Sequence, residues 1–191
     1  LMLGESVADL AIPRAFAPQH VSVKEAVLPF ARFPTTDPVL GPEMRATGEV
    51  MGIGRSFGEA FAKAQRGAGV AVPHGGTAVL SAADMDKPRM VAVAQRLAKS
   101  GFLLVATEGT AAAIRAAGLP VTPIAKVDDG ATDIPTLVGR GDVALVINTP
   151  SGTRAQSDGA AIRRAAVRAG IPCVTTMEAA ESTADALRGP R

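Results

Sequence analysis

An α/β fold, a doubly wound five-stranded parallel sheet, is predicted for the C-terminal part of this chain, preceded by a partial α+β tail. Three observations carry that expectation. Short apolar runs alternate with amphipathic runs along the second half of the sequence. The apolar runs are about five residues long and nearly continuous, as strands buried on both faces require. Glycines follow the amphipathic runs at Gly101, Gly118 and Gly170, where a helix end favours a left-handed residue.

The strands are read at Thr77–Ser81, Phe102–Ala106, Val121–Ala125, Val143–Thr149 and Cys173–Thr176. The intervening helices are read at Pro88–Lys99, Thr110–Ala117, Asp133–Val138, Asp158–Ala169 and Glu178–Leu187. Pro88 suits the first turn of its helix, where no N–H is needed. This order of βαβ units implies a parallel sheet covered on both faces.

The first 80 residues have a different texture. They offer a short helical stretch at Glu5–Leu10, a strand at Val21–Leu28, a Pro-rich passage from Pro29 to Pro42 and a strand at Thr47–Met51. A helix from Ser56 to Gln65 follows, with Ser56 as N-cap and Gly67 and Gly69 ending it. So few elements around a long loop make a poor independent core. Residues 1–80 are therefore read as the tail of a domain whose body lies upstream, and residues 81–191 as a domain of their own. The chain begins at Leu1 and is read as a piece of something longer.

Composition narrows the function. Hydrophobic residues make up 47% of the 191, enough for a core. The net charge is +2, with no Trp or Tyr and six Phe. Nucleic-acid binders present a basic stripe, usually with stacking rings, so none is expected here. No apolar run is long enough to cross a bilayer, so no membrane association is expected. The lone Cys173 and the two histidines, His20 and His74, assemble no metal site and are read as structural.

Three strings in the first region carry a resemblance: Ser22–Phe30, Gly41–Gly52 and Phe57–Gln65. They are similar to the end of the second ATP-grasp half of the carbamoyl phosphate synthetase large subunit. Ala106–Thr110, Ile147–Gly152 and Thr175-Thr176 resemble the methylglyoxal-synthase-like allosteric domain that follows it in that family. The resemblance implies an effector-binding module of a ligase that makes carbamoyl phosphate from bicarbonate, ATP and glutamine-derived ammonia, for arginine and pyrimidine synthesis. It implies a parent enzyme that uses ATP with Mg or Mn, a small glutaminase subunit as partner and an oligomer; a cytoplasmic location is the default expectation for a chain with one cysteine. The ATP-binding residues of the family lie upstream, so this stretch is expected to bind no cofactor and to be non-catalytic by itself.

The loop Thr107-Glu-Gly-Thr110 joins a strand to a helix start, where free N–H groups favour an anion. Simple capping by Thr107 explains the residues alone equally well. The resemblance favours phosphate binding by Thr107, Gly109 and Thr110, and matches Lys87 and Lys126 to family lysines on a nucleotide phosphate. Asn148 could read a base or ribose through its amide, or serve as a turn residue. The implied ligand is a nucleoside monophosphate, uridylate (UMP) or inosinate (IMP). Glu25 and Thr175 match residues of the family's ornithine site. Thr175 with Glu178 also reads as a capping box, and Ser157 or Asp158 as the cap of the helix that follows. Arg163, Arg164 and Arg168 are read as a solvated or subunit-facing stripe.

Two strings argue against other functions. Gly52-Ile-Gly-Arg-Ser-Phe-Gly58 nearly spells a dinucleotide fingerprint, but its third glycine is one place late. A free-standing methylglyoxal synthase would need an aspartate base and histidines, and no histidine follows His74. Glu108 and Pro150 depart from the best-known family pattern. A carboxylate beside a phosphate is unfavourable unless it points away.

Overall fold

The computed structural model describes residues 2–10, 17–33, 36–70, 72–126, 133–149 and 152–187, the last without the side chains of 152–157. Five parallel strands form the main sheet: β3 (Gly76–Ser81), β4 (Phe102–Thr107), β5 (Thr122–Ile124), β6 (Val143–Asn148) and β7 (Cys173–Val174). Their order is β5-β4-β3-β6-β7. The chain steps outward from β3 to β5, then returns to the other side of β3. The carboxyl ends of β3 and β6 therefore flank a topological switch point, with Ser81 opposite Asn148.

Each strand shows a different set of side chains to each face. Ala78, Leu80, Leu104, Ala106, Leu145 and Ile147 pack under α2 (Lys87–Lys99), α3 (Glu108–Ala116) and α6 (Met177–Ala186). Val79, Val143 and Val146 pack under α4 (Ile134–Gly139) and α5 (Gly152–Arg168). Fully burying one such side chain stabilises the fold by roughly 1.5–3 kcal/mol. Cys173 packs beside the second cluster, and burial pushes its thiol up to about 12.

The sheet begins at Gly76, so the boundary drawn between residues 80 and 81 would cut its central strand. Phe102 and Val143 register against Gly76 and Thr77, and that pairing needs the whole of β3.

Ahead of the sheet, β1 (Val21–Val27) and β2 (Gly48–Gly54) form an antiparallel pair. Helix α1 (Phe57–Gly67) lies on it, capped by Ser56, whose hydroxyl accepts from the Glu59 N–H at 3.3 Å. The glycines discounted as a dinucleotide fingerprint have a packing role. A Cβ on Gly52 would run into the Ala60 carbonyl and lie 2.5 Å from the Ala64 nitrogen; one on Gly54 would lie 2.7 Å from the Ala60 nitrogen. Gly58 likewise brings α1 against the end of α6, where an added Cβ would lie 2.8 Å from the Asp185 carbonyl.

Several local expectations change. Glu5–Leu10 forms turns, closed by Ser6 Oγ donating to Asp9 at 2.5 Å, because both side chains compete for the backbone a helix would need. Helix α5 starts at Gly152, so Ser157 and Asp158 lie inside it rather than at its N-terminus. The cap of α6 is Thr176, which accepts from the Ala179 N–H at 3.3 Å, one residue later than the Thr175–Glu178 box. Thr176 holds the extended conformation a cap requires, φ −129 and ψ 154. Ser151 and Pro150 lie outside the described residues.

Candidate functional site

Two adjoining hollows, about 150 and 390 Å³, open at the carboxyl ends of the strands. They share Ala82, Asp84, Lys126 and Asp158. Lys87, Thr107, Glu108, Gly109 and Thr110 add to the larger one, and Ser81, Asn148, Thr149 and Gly159 to the smaller. The residues read from the sequence as a nucleotide site thus stand around one rim.

The larger hollow is built on the start of α3. Thr107 is the residue before the helix, but its hydroxyl makes no cap bond. It donates instead to Thr110 Oγ1 at 3.2 Å. The simple capping role is therefore not what Thr107 does, and the first-turn N–H groups of α3 keep their positive end toward the hollow. Thr110 is 1% exposed and also accepts from the Ala82 N–H at 3.0 Å. Its hydroxyl ties the end of β3 to α3 before it could meet any ligand.

Gly109 leaves room for the end of a lysine side chain. A Cβ there would sit 2.9 Å from Lys87 Nζ, so the ammonium lies directly over this backbone. Lys87 Nζ is paired with Asp84 Oδ1 at 2.7 Å. That hydrogen bond, with the charges of Lys87 and Lys126, holds the Asp84 carboxyl below the ordinary value. Lys126 is exposed at the exit of β5 and borders both hollows. The carboxylate of Glu108 reaches toward Arg115 at 3.6 Å and its side chain is 77% exposed, so it is not committed to the cavity.

The smaller hollow rests on a network that sequence reading placed in solvent. Arg163 of α5 is 1% exposed. Its Nη1 donates to Asn148 Oδ1 at 2.6 Å. Its Nε and Nη2 donate to the two carboxylate oxygens of Asp37 at 2.7 and 2.5 Å. The reading of Arg163 as part of a solvated or subunit-facing stripe is thereby corrected: the guanidinium is buried, and each of its three nitrogens has a partner. Gly159 permits this, since a Cβ there would lie 2.5 Å from Arg163 Nη1 and 3.0 Å from Asn148 Oδ1. A glycine inside a helix costs about 1 kcal/mol relative to Ala, which is a signal of a packing role. With the helix read as starting at Asp158, Gly159 falls in its first turn, where a glycine carries no such signal. Thr149 was also missed; it is buried, and its hydroxyl accepts from the Ala83 N–H at 3.2 Å.

Comparison with known proteins adds a second line. A model for the MGS-like domain matches residues 89–175. The chain carries an MGS-like domain. Over all 191 residues it is 48% identical to the carbamoyl phosphate synthase large chain of Pseudomonas putida, covering 18% of that protein. Over 171 residues, 89% of this chain, it is 50% identical to the carbamoyl phosphate synthase large chain, C-terminal section, of Methanopyrus kandleri, covering 32% of that protein. The large chain of a Synechocystis strain is 45% identical over 189 residues, 98% of this chain and 18% of that protein. The chain is thus homologous end to end with carbamoyl phosphate synthase large chains, and spans under a fifth of the length of the first of these relatives.

Glu25 and Thr175, read as ornithine residues, lie apart from the rim of the MGS-like domain described above. Glu25 sits on β1, on the side facing α1, where burial raises its carboxyl against a hydrogen bond from Gln65 that lowers it. Glu25 is thus part-buried on its strand. Thr175 is half-buried between β7 and the Thr176 cap of α6. No helix among the described residues is long and apolar enough to cross a membrane.

Proposed function

We propose that this chain is the effector-binding regulatory part of a glutamine-dependent carbamoyl phosphate synthetase. The parent enzyme would make carbamoyl phosphate from bicarbonate, ATP and glutamine-derived ammonia, using Mg or Mn and a glutaminase partner. The effector is a nucleoside monophosphate, uridylate or inosinate. Its phosphate sits at the start of α3, over Gly109, between Lys87 and Lys126, with Thr107 at the edge. Asn148 meets the base or ribose in the smaller hollow. Glu25 and Thr175 contribute to an ornithine site completed by residues outside this chain.

One observation carries this reading: a helix start with no side-chain cap, a glycine lying under the Lys87 ammonium, and two ammonium-bearing residues share one hollow at the carboxyl ends of the strands. Such a start favours a dianion, because the helix places partial positive charge there. Binding must compete with Asp84 for Lys87, so moderate affinity is expected. Titration calorimetry of the chain with uridylate, inosinate and ornithine tests the reading. A nucleotide should bind and ornithine should bind weakly or not at all. Heat from ornithine alone would contradict the assignment.

A further inference from the structure

The Asp37–Arg163–Asn148 network decides which chemical group the smaller hollow can accept. A guanidinium has N–H donors and no acceptor. The Asn148 amide must therefore turn its oxygen toward Arg163, at 2.6 Å. The oxygen–nitrogen ambiguity of an amide is removed here by its neighbour. With Oδ1 turned to Arg163, the amide offers a ligand the Nδ2 hydrogens as its outward face. Asn148 stands at the end of β6, opposite Ser81 and on the wall of the hollow, so this donor is presented at the switch point.

We propose that Arg163 is a positioning residue that fixes the polarity of Asn148, so that the site selects a ring carbonyl over a ring amino group. Asp37, which accepts from the other two guanidinium nitrogens, Nε and Nη2, holds Arg163 in that role. Asp37 lies 126 positions upstream and is not among the lining residues of either hollow. The specificity of the site is thus set partly by the segment that precedes the sheet. A rotation of Arg163 away from Asn148 would let the amide flip and present its oxygen instead. This inference rests on the nucleotide reading and adds the basis of its selectivity.

The test compares ligand pairs that differ by one such exchange: uridylate with cytidylate, and inosinate with adenylate. Ribose 5-phosphate serves as the probe of the phosphate half alone. The wild-type chain should favour the carbonyl member of a pair by about five-fold or more, the worth of one hydrogen bond. Arg163→Met should shrink that ratio toward one while ribose 5-phosphate affinity stays within about two-fold. Asp37→Asn, at a part-exposed position, should shrink the ratio in the same direction and serves if Arg163→Met does not fold. An unchanged ratio in the variants overturns the proposal alone. So does a wild-type chain that binds ribose 5-phosphate and nucleotides without preferring carbonyl. A wild-type chain that binds none of these probes overturns the nucleotide reading itself, and this inference with it.

Discussion

Arg163 and Asp37 face each other across two hydrogen bonds of 2.7 and 2.5 Å, joining α5 to the irregular segment that precedes the sheet. Arg163 is almost fully buried, whereas the Asp37 side chain is 33% exposed. The asymmetry predicts unequal losses. Removing Asp37 strands a buried cation, and removing one partner of such a pair costs about 3–5 kcal/mol. Asp37→Ala should fall near the low end of that range in urea denaturation. Arg163→Met should cost less, because water can reach the orphaned carboxylate.

The same pair carries a pH signature. Burial works to raise the Asp37 carboxyl, but the Arg163 hydrogen bond, the Val39 N–H and the charges of Arg163 and Arg164 outweigh it and leave it below its ordinary value of 3.8. A carboxyl depressed in the folded state stabilises above its unfolded pKa, and that contribution disappears as pH falls through the folded value. Between neutral pH and that acidic window, wild type should lose more stability than Asp37→Asn. Parallel pH–stability curves for the two proteins would contradict the pairing.

Much of the sheet was legible because its signals are local. Runs such as Val143–Ile147 bury both faces, and Gly101, Gly118 and Gly170 adopt positive φ of 89, 78 and 68. The Arg163–Asp37 contact spans 126 positions, and no local pattern encodes it. Thr175 and Thr176 are equivalent by residue type; only the path of the backbone decides which one caps α6. The rim residues Lys87, Thr107, Gly109, Thr110, Lys126 and Asn148 were found through motif and resemblance. What sequence missed was their internal use: Thr110 bonds Ala82, and Asn148 bonds Arg163.

Thr110→Val should therefore damage stability as well as binding. It leaves the Ala82 N–H without its acceptor, and an orphaned buried donor costs about 1–3 kcal/mol. A lowered melting temperature in the absence of any ligand is the expected result. Unchanged stability would show that water or another group replaces the hydroxyl.

Asp84→Asn should tighten nucleotide binding. The Lys87–Asp84 ion pair, at 2.7 Å, competes with a phosphate for the ammonium. Removing that competitor should raise affinity by about three-fold at low salt, with a smaller gain as salt screens the site. Weaker binding in Asp84→Asn would mean that the carboxylate positions Lys87 instead.

Gly52→Ala tests how α1 lies on the β1–β2 pair. The new methyl meets the backbone of Ala60 and Ala64, which cannot move without shifting the helix. Overpacking of this kind costs about 1–3 kcal/mol. Gly41→Ala, where an added Cβ has nothing within 4 Å, is the matched control and should be neutral.

The phosphate site itself is tested most directly by titrating uridylate and uridine into the wild-type chain and into Lys126→Ala. At pH 7 the phosphate carries close to two negative charges, its second pKa being about 6. A charge-assisted hydrogen bond is worth about 1.5–3 kcal/mol, and 1.4 kcal/mol is a factor of about ten. Uridylate should bind wild type much more tightly than uridine does, and Lys126→Ala should weaken uridylate by about ten-fold or more while leaving uridine nearly unchanged. Equal affinity for uridine and uridylate, or an unaltered dissociation constant in Lys126→Ala, would contradict the account.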